Sequence, residues 1–255
     1  MHAVSVQWVP SPESTPLRRL FAAPDEHTLN PVVFSYVFMK ILERRPRSYN
    51  RHMSRVSGGR IRRIKEQVAA LVPAGARVLE IGCGTGELAA LLVGRGATVE
   101  GFDRSPLMVT VAQERIEAEG LAEKLTVHHR GVEDMDGLNA ERYDAVVSTL
   151  VLSEVTDNER RYTLRHAWRV LRPGGVIVLA DEVWPRSQGR RLAHRLTRAP
   201  VAMATFLIST ATTRPLHDLA GDLTRAGFVV DDEQRSHGDS FALIQAHRAA
   251  AEAAP

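Results

Sequence analysis

The sequence predicts a doubly wound α/β fold with a mostly parallel, seven-stranded sheet. Three observations carry this expectation. Short apolar runs alternate with helical patterns between residues 77 and 180, the order expected of parallel strands joined by crossover helices. A glycine-rich segment stands where the first strand turns into a helix. The last two apolar runs, Val229–Arg235 and Ser240–His247, are joined near Gly238. A connection that short suits an antiparallel pair.

Taken in order, residues 1–30 carry Pro10, Pro12, Pro16 and Pro24 with little periodicity, and read as an irregular arm. Pro31 opens a helical pattern over Val32–Arg44, and Pro46 ends it. A second N-terminal helix spans Gly59–Leu71, with Ile61, Ile64, Val68 and Leu71 on one face. Pro73-Ala74-Gly75 is a turn. Arg77–Ile81 is the first strand, followed by a glycine loop and a helix over Glu87–Arg95. Ala97–Phe102 is the second strand. Ser105 and Pro106 read as N-cap and first residue of a helix that stops at Gly120. Lys124–His128 and the nearly continuous apolar run Tyr143–Thr149 are strands three and four. Asn158–Leu171 is a helix ended by Arg172-Pro173-Gly174-Gly175, and Val176–Ala180 is strand five. A further helix, Leu216–Ala226, stops at Gly227. The chain thus divides into an arm (1–30), N-terminal helices (31–72), a main domain (73–248) with a helical insertion over 183–213, and a tail (249–255).

Composition narrows the class. The 255 residues are 44% hydrophobic and 25% charged, which is ordinary globular usage. A single cysteine excludes an internal disulfide, and no Cys/His pair has zinc spacing, so no metal site is expected. Met1–Trp8 has neither a basic nor an apolar leader region, and Ala199–Ala211 is too short to span a bilayer. A cytoplasmic protein with no transmembrane segment is expected. The net charge of +3 hides clustering: Lys40 to Glu66 holds ten basic and two acidic residues, and Arg186, Arg190, Arg191, Arg195 and Arg198 form a second group. Such clusters can attract phosphate or anionic lipid, or simply be solvated helix faces.

The chemistry lies in Val78-Leu79-Glu80-Ile81-Gly82-Cys83-Gly84-Thr85-Gly86-Glu87. Glycines let the backbone bend sharply and a ligand approach the amides, and the helix that follows offers free N–H donors. In an open α/β sheet this loop lies at the ligand crevice. Asp103 ends the second strand, where a carboxylate can accept both ribose hydroxyls. A dinucleotide fingerprint would need glycine at position 87, which is Glu87, and a carboxylate there would repel a pyrophosphate. A cofactor without phosphate and with a positive centre suits the acidic loop better.

With these residues the chain resembles the class I S-adenosylmethionine-dependent methyltransferases, a Rossmann-like family, over residues 45–183 and more loosely over 215–248. The resemblance implies S-adenosyl-L-methionine as cofactor. It places Glu80, Gly82, Cys83, Gly84 and Gly86 around the methionine and ribose, and Asp103 on the ribose hydroxyls with Arg104 beside it. Gly131-Val132-Glu133-Asp134-Met135 matches the adenine segment. The family often has an acidic residue where Gly131 stands, so backbone near Val132, or Glu133, takes its place here. Ser148, Thr149 and Leu150 would border the methionine portion, and Tyr49 matches an aromatic cover. Cys83 reads as a small filler rather than a nucleophile, Asp144 as a structural cap, and Trp168 and Trp184 as packing residues. His128 and His129 should point to opposite faces. Asp181 and Glu182, at the carboxyl end of strand five, are candidates for a catalytic base or substrate contact, against a solvated turn.

The implied activity is transfer of the sulfonium methyl to a small-molecule or protein-bound acceptor. Thr149-Leu150-Val151-Leu152 stands where family members that methylate nucleic-acid amino groups carry an Asn-Pro-Pro-Tyr type motif, so nucleic acid is not the expected substrate. Ser35–Glu43, Ala180-Asp181-Glu182-Val183 and Thr212-Thr213-Arg214-Pro215 resemble a branch encoded beside corrinoid proteins, which implies a corrinoid protein or its cofactor as partner. The readings left open are a catalytically silent cofactor-binding module and a methyltransferase working on RNA or at a membrane surface.

Overall fold

The computed structural model describes residues 59–192, 194 and 214–250. The expected arm, the helix over 32–44, Tyr49, most of the insertion and most of the tail lie outside these residues. The elements in chain order are α1 (Arg60–Leu71), β1 (Arg77–Ile81), α2 (Glu87–Gly94), β2 (Thr98–Asp103), α3 (Pro106–Glu119), β3 (Leu125–His129), a 3₁₀ turn (Val132–Gly137), β4 (Tyr143–Thr149), α4 (Asp157–Val170), β5 (Leu171–Glu182), α5 (Leu219–Arg225), β6 (Phe228–Ser236) and β7 (Phe241–Arg248).

One sheet holds all seven strands in the order β3-β2-β1-β4-β5-β7-β6. Strands β1 to β5 pair in parallel, and β7 runs antiparallel between β5 and β6. The sheet therefore has the predicted count and the predicted antiparallel end. The strand order reverses at β1, so the carboxyl ends of β1, β2 and β4 open a crevice beside the glycine loop.

Alternate residues of each strand feed two separate cores. Val78, Val99, Ala145 and Val178 face α1, α2 and α3, where Val68, Leu88, Leu92 and Ala112 meet them. Leu79, Ile81, Val146 and Ile177 face α4 and α5, where Leu164, Ala167, Leu219 and Leu223 complete the other layer. Ile64 and Val68 of α1 are integral to the first core, so the expected boundary at residue 72 falls within packed structure.

Local chemistry sets the helix ends. Ser105 caps α3 by accepting the Met108 amide at 3.4 Å, Pro106 follows it, and Gly120 ends the helix in the left-handed conformation. Thr156 and Glu159 form a reciprocal capping box at the start of α4. At its other end the sequence expectation needs correcting. Leu171 already belongs to β5, where it pairs with Tyr143, and the Arg172–Gly175 stretch is part of an irregular strand start that shifts the β4–β5 register. Asp144 anchors this region: it accepts the Arg77 amide at 2.8 Å and pairs with Arg172 at 2.7 Å.

Beyond β5, Val183 bridges in parallel to Leu216. The Leu216 amide donates to the Glu182 carbonyl and the Trp184 amide donates to the Leu216 carbonyl. The two ends of the insertion are thereby fixed side by side. No helix among the described residues is long and apolar enough to cross a membrane.

Candidate cofactor site

The loop between β1 and α2 is pinned from beneath. The amides of Gly82 and Cys83 both donate to the Phe102 carbonyl at 2.9 Å, and Arg115 of α3 reaches the Thr85 carbonyl at 3.0 Å. Gly82 has φ 72°, and a Cβ there would fall 2.2 Å from Val151 Cγ2. Only glycine fits between this backbone and the segment that leaves β4. Gly84, with φ 52°, is different, because a Cβ there would meet nothing within 4 Å and would point into open space.

Gly84 lines a pocket of about 240 Å³, together with Glu80, Gly82, Asp103, Val132, Thr149 and Leu150. Cys83, Arg104 and Glu133 also line it. A shallower groove of about 630 Å³ lies alongside between α4 and α5, sharing Val132, Glu133 and Glu159.

Asp103 is held by the loop it was expected to serve. Its Oδ2 accepts the Gly84 amide at 2.9 Å and its Oδ1 accepts the Ser105 amide at 2.8 Å. The carboxylate is thus aimed at the pocket by two backbone donors. Arg104 lies 3.7 Å from Glu154, and its carbonyl contacts His129 Nε2 at 3.1 Å. His128 turns instead to Glu100 at 3.6 Å, so the two histidines diverge.

Glu80 is buried, and its Oε2 has no hydrogen-bond partner. Burial pushes its carboxyl up to about 8, and Asp103 and Glu87 add to the rise against the Lys65 ammonium. Thr149 Oγ1 is likewise buried without a partner. Two buried oxygens lining one pocket call for a polar ligand, since each otherwise carries an uncompensated desolvation cost of ~1–3 kcal/mol.

The turn Gly131–Met135, where adenine is expected, also has a readable geometry. A Cβ on Gly131 would fall 2.1 Å from Glu133 Oε2. The Glu133 side chain therefore occupies the space that a side chain at position 131 would fill. Tyr162 donates to the Glu133 carbonyl at 3.1 Å and Arg169 donates to the Met135 carbonyl at 2.9 Å, so α4 holds this turn in place.

Other expectations are revised. Ser148 lies behind the wall, donating from Oγ to the Ile81 carbonyl at 3.0 Å, and ties β4 to β1 instead of facing the pocket. Cys83 packs against Gly101, and burial raises its thiol well above the ordinary value, so it is not an activated nucleophile. Asp181 and Glu182 do not line this pocket. Asp181 is buried, with its carboxylate turned onto backbone: Oδ2 accepts the amides of Leu152 and Ser153 at 2.8 and 3.3 Å, and Oδ1 accepts the Glu182 amide at 2.7 Å. Three donors leave it a clamp for the turn after β4 rather than a base. Glu182 is buried 3.6 Å from His194. Trp168 donates to the Gly227 carbonyl at 3.1 Å, beneath Arg248, and Trp184 packs against His194 and His217.

Sequence reasoning missed Lys65. It reaches from α1 into the pocket and pairs with Glu87 at 2.8 Å. Nothing in the local sequence marks it, because its place depends on distant neighbours. Leu150, expected beside the methionine portion, lines the pocket, and its φ of 62° turns the chain sharply there.

A glycine loop after β1, a carboxylate at the end of β2 and this strand order define an S-adenosylmethionine-dependent methyltransferase of class I. Residues 78–175 match the family model described as a methyltransferase domain. The chain is 30% identical to an uncharacterized methyltransferase of Synechocystis, over 68% of this chain and 76% of that protein. It is 35% identical to a ubiquinone biosynthesis O-methyltransferase of Xanthomonas axonopodis, over 57% of this chain and 54% of the relative. A solved O-methyltransferase family protein from Burkholderia thailandensis has the same fold, with a TM-score of 0.63 at 21% identity, covering 81% of this chain and 60% of that one. The chain belongs to the S-adenosylmethionine-dependent methyltransferase family. The pocket's residues fit that cofactor: they include Glu80, a buried carboxyl with an unpartnered oxygen, Asp103, a carboxylate held by two amides, and the glycines Gly82 and Gly84.

Proposed function

We propose that the protein transfers the sulfonium methyl in line to a small-molecule or protein-bound acceptor entering over the carboxyl ends of β4 and β5. The observation that carries this reading is the turn Leu150–Ser153, which borders the cofactor pocket and is locked from the opposite side by Asp181. The same turn receives the returning end of the insertion, because the Arg214 amide donates to the Ser153 carbonyl at 2.9 Å. Cofactor wall and insertion base are therefore mechanically one unit.

The bound cofactor supplies a methyl carbon already activated by its sulfonium charge. The chain's own work is to hold and align: Asp103 and the glycine loop fix the nucleoside, Glu80 and Thr149 the amino-acid end, and Leu150 and Val151 shape the approach. The segment 183–213 is the element we assign to covering the acceptor and excluding water. Thr149-Leu150-Val151-Leu152 supports an acceptor other than a nucleic-acid amino group, and the relative named for ubiquinone biosynthesis supports a small molecule.

The test is to supply S-adenosylmethionine with a panel of small phenols, amines and thiols, a corrinoid, protein extract and RNA, and to follow S-adenosylhomocysteine together with methylated product. Product on a small molecule or protein, lost when the insertion is replaced by a short linker, supports the reading. Methylated RNA alone overturns the acceptor class. Cofactor binding with no turnover on any acceptor favours a silent module.

A further inference from the structure

We propose that seating the amino-acid end of the cofactor expels a proton from the pocket floor, and that Glu80 is the group that releases it. The proposal rests on the cofactor assignment above and concerns how binding at that site responds to pH.

The carboxylates around Glu80 outnumber the cations that act on it among the described residues. Glu80 on β1 is surrounded by Lys65 from α1, Glu87 and the Ala89 backbone from α2, Asp103 from β2 and Cys83 from the loop. Among the described residues Lys65 is the cation that acts on Glu80, while Glu87 also faces Arg115 and Arg62. Lys65 Nζ lies 2.8 Å from Glu87 Oε2, and that pairing holds the Glu87 carboxyl below its ordinary value despite partial burial. Asp103 is secured as an acceptor by the Gly84 and Ser105 amides. Glu80 has neither compensation for Oε2. It is 3% exposed, against side-chain exposures of 15% for Lys65 and 25% for Glu87. In a site of low polarity the most buried member of such a group keeps the proton.

A ligand ammonium placed at Glu80 Oε2 reverses this balance. It supplies the missing cation and a hydrogen-bond donor, so the carboxyl ionises. The O–H bond of Glu80 breaks, its electron pair stays on the carboxylate, and the proton passes to the buffer. The ligand ammonium keeps its own protons. A nucleoside thioether that fills the adenine and ribose positions but lacks the amino acid cannot drive this exchange.

The experiment uses calorimetry on the full chain at pH 7 in two buffers of different ionisation heat. The probes are S-adenosylhomocysteine, which carries the ammonium, and 5′-methylthioadenosine, which does not. We expect close to one proton released per S-adenosylhomocysteine bound and none per methylthioadenosine. The affinity for S-adenosylhomocysteine should rise up to about tenfold per pH unit below pH 8 and then level, while that for methylthioadenosine stays flat. Glu80→Gln should bind without proton release. Lys65→Met, which removes the cation that acts on Glu80 among the described residues, should move the levelling point to higher pH, and it carries the test if Glu80→Gln does not fold. Equal release with both probes, no release with S-adenosylhomocysteine, or a levelling point unmoved in Lys65→Met overturns the proposal. The binding heat itself reports recognition, so loss of heat with both probes would instead count against the cofactor assignment.

Discussion

Asp181 Oδ2 accepts the Leu152 backbone amide at 2.8 Å, so a carboxylate at the end of β5 fixes the turn that leaves β4. The same carboxylate holds Ser153, whose carbonyl receives the Arg214 amide. Removing one side chain should therefore loosen two neighbouring segments at once. In Asp181→Ala the freed amides should lower stability by ~1–3 kcal/mol. Methyl transfer should fall by a larger factor than cofactor affinity, because Asp181 shapes the acceptor side without lining the pocket. Denaturant titration, calorimetry and turnover on the same variant check this, and cofactor affinity falling further than turnover would contradict it.

Asp103→Ala should weaken cofactor binding. A charge-assisted hydrogen bond contributes about 1.5–3 kcal/mol, which corresponds to roughly tenfold to a hundredfold in Kd. The variant also loses the acceptor for the Gly84 amide, so Asp103→Asn serves as the control that keeps one acceptor oxygen. Unchanged affinity in a folded Asp103→Ala protein would remove this residue from the ribose position.

Two glycines of one loop should fail in different ways. Gly82→Ala places a methyl against Val151 and strains a left-handed backbone, so it should lower stability by ~1–3 kcal/mol. Val151→Ala should recover part of that loss in the double variant. Gly84→Val carries the left-handed backbone strain without the clash, since nothing among the described residues lies within 4 Å of its Cβ, and it adds bulk to a residue that lines the pocket. It should lose cofactor binding while retaining most of the sheet. Thermal denaturation and ligand titration of both variants distinguish the two, and equal stability losses would undo the distinction.

The pH dependence of stability has a definite sign. Burial raises Glu80 from 4.5 to about 8 and Asp181 from 3.8 to about 6. As pH rises through these intervals the unfolded chain has already lost protons that the folded chain retains, so stability falls. His237 acts oppositely below 6.5, since burial and then Arg60 lower it to about 4. Between pH 6.5 and 8 the Glu80 effect is left to dominate, with a slope of up to about 1.4 kcal/mol per pH unit. The ligand-free protein should therefore become less stable across that interval, and Glu80→Gln should flatten the trend. Rising stability from pH 6.5 to 8 in the unaltered chain would refute the assignment.

The fold was readable because its signals are local. Alternating apolar runs, the Ser105-Pro106 start of α3, Gly120 and Gly227 each announce an element or its end within a few residues. The glycine loop and Asp103 were readable for the same reason. What escaped depends on distant approach. Lys65 enters the pocket only because α1 packs on α2, and the need for glycine at position 82 comes from Val151, far along the chain. Asp181 looked catalytic from its place at a strand end, yet the donors that occupy it come from a turn about thirty residues earlier. The side chain of Glu133 stands over Gly131, a substitution in space that spacing alone could only suggest.

The bridge between Val183 and Leu216 has a consequence for how this protein can diversify. A segment whose two roots are already clasped together can be lengthened or exchanged with little penalty, since each doubling of a flexible loop adds only about 0.6 kcal/mol of closure entropy. Both roots are buried in the second hydrophobic layer, so the clasp belongs to the fixed body of the fold. Under the role proposed for the insertion, acceptor preference becomes a graftable trait: transplanting residues 184–215 between relatives should carry the taste for a substrate with it and leave the recipient's sheet undisturbed.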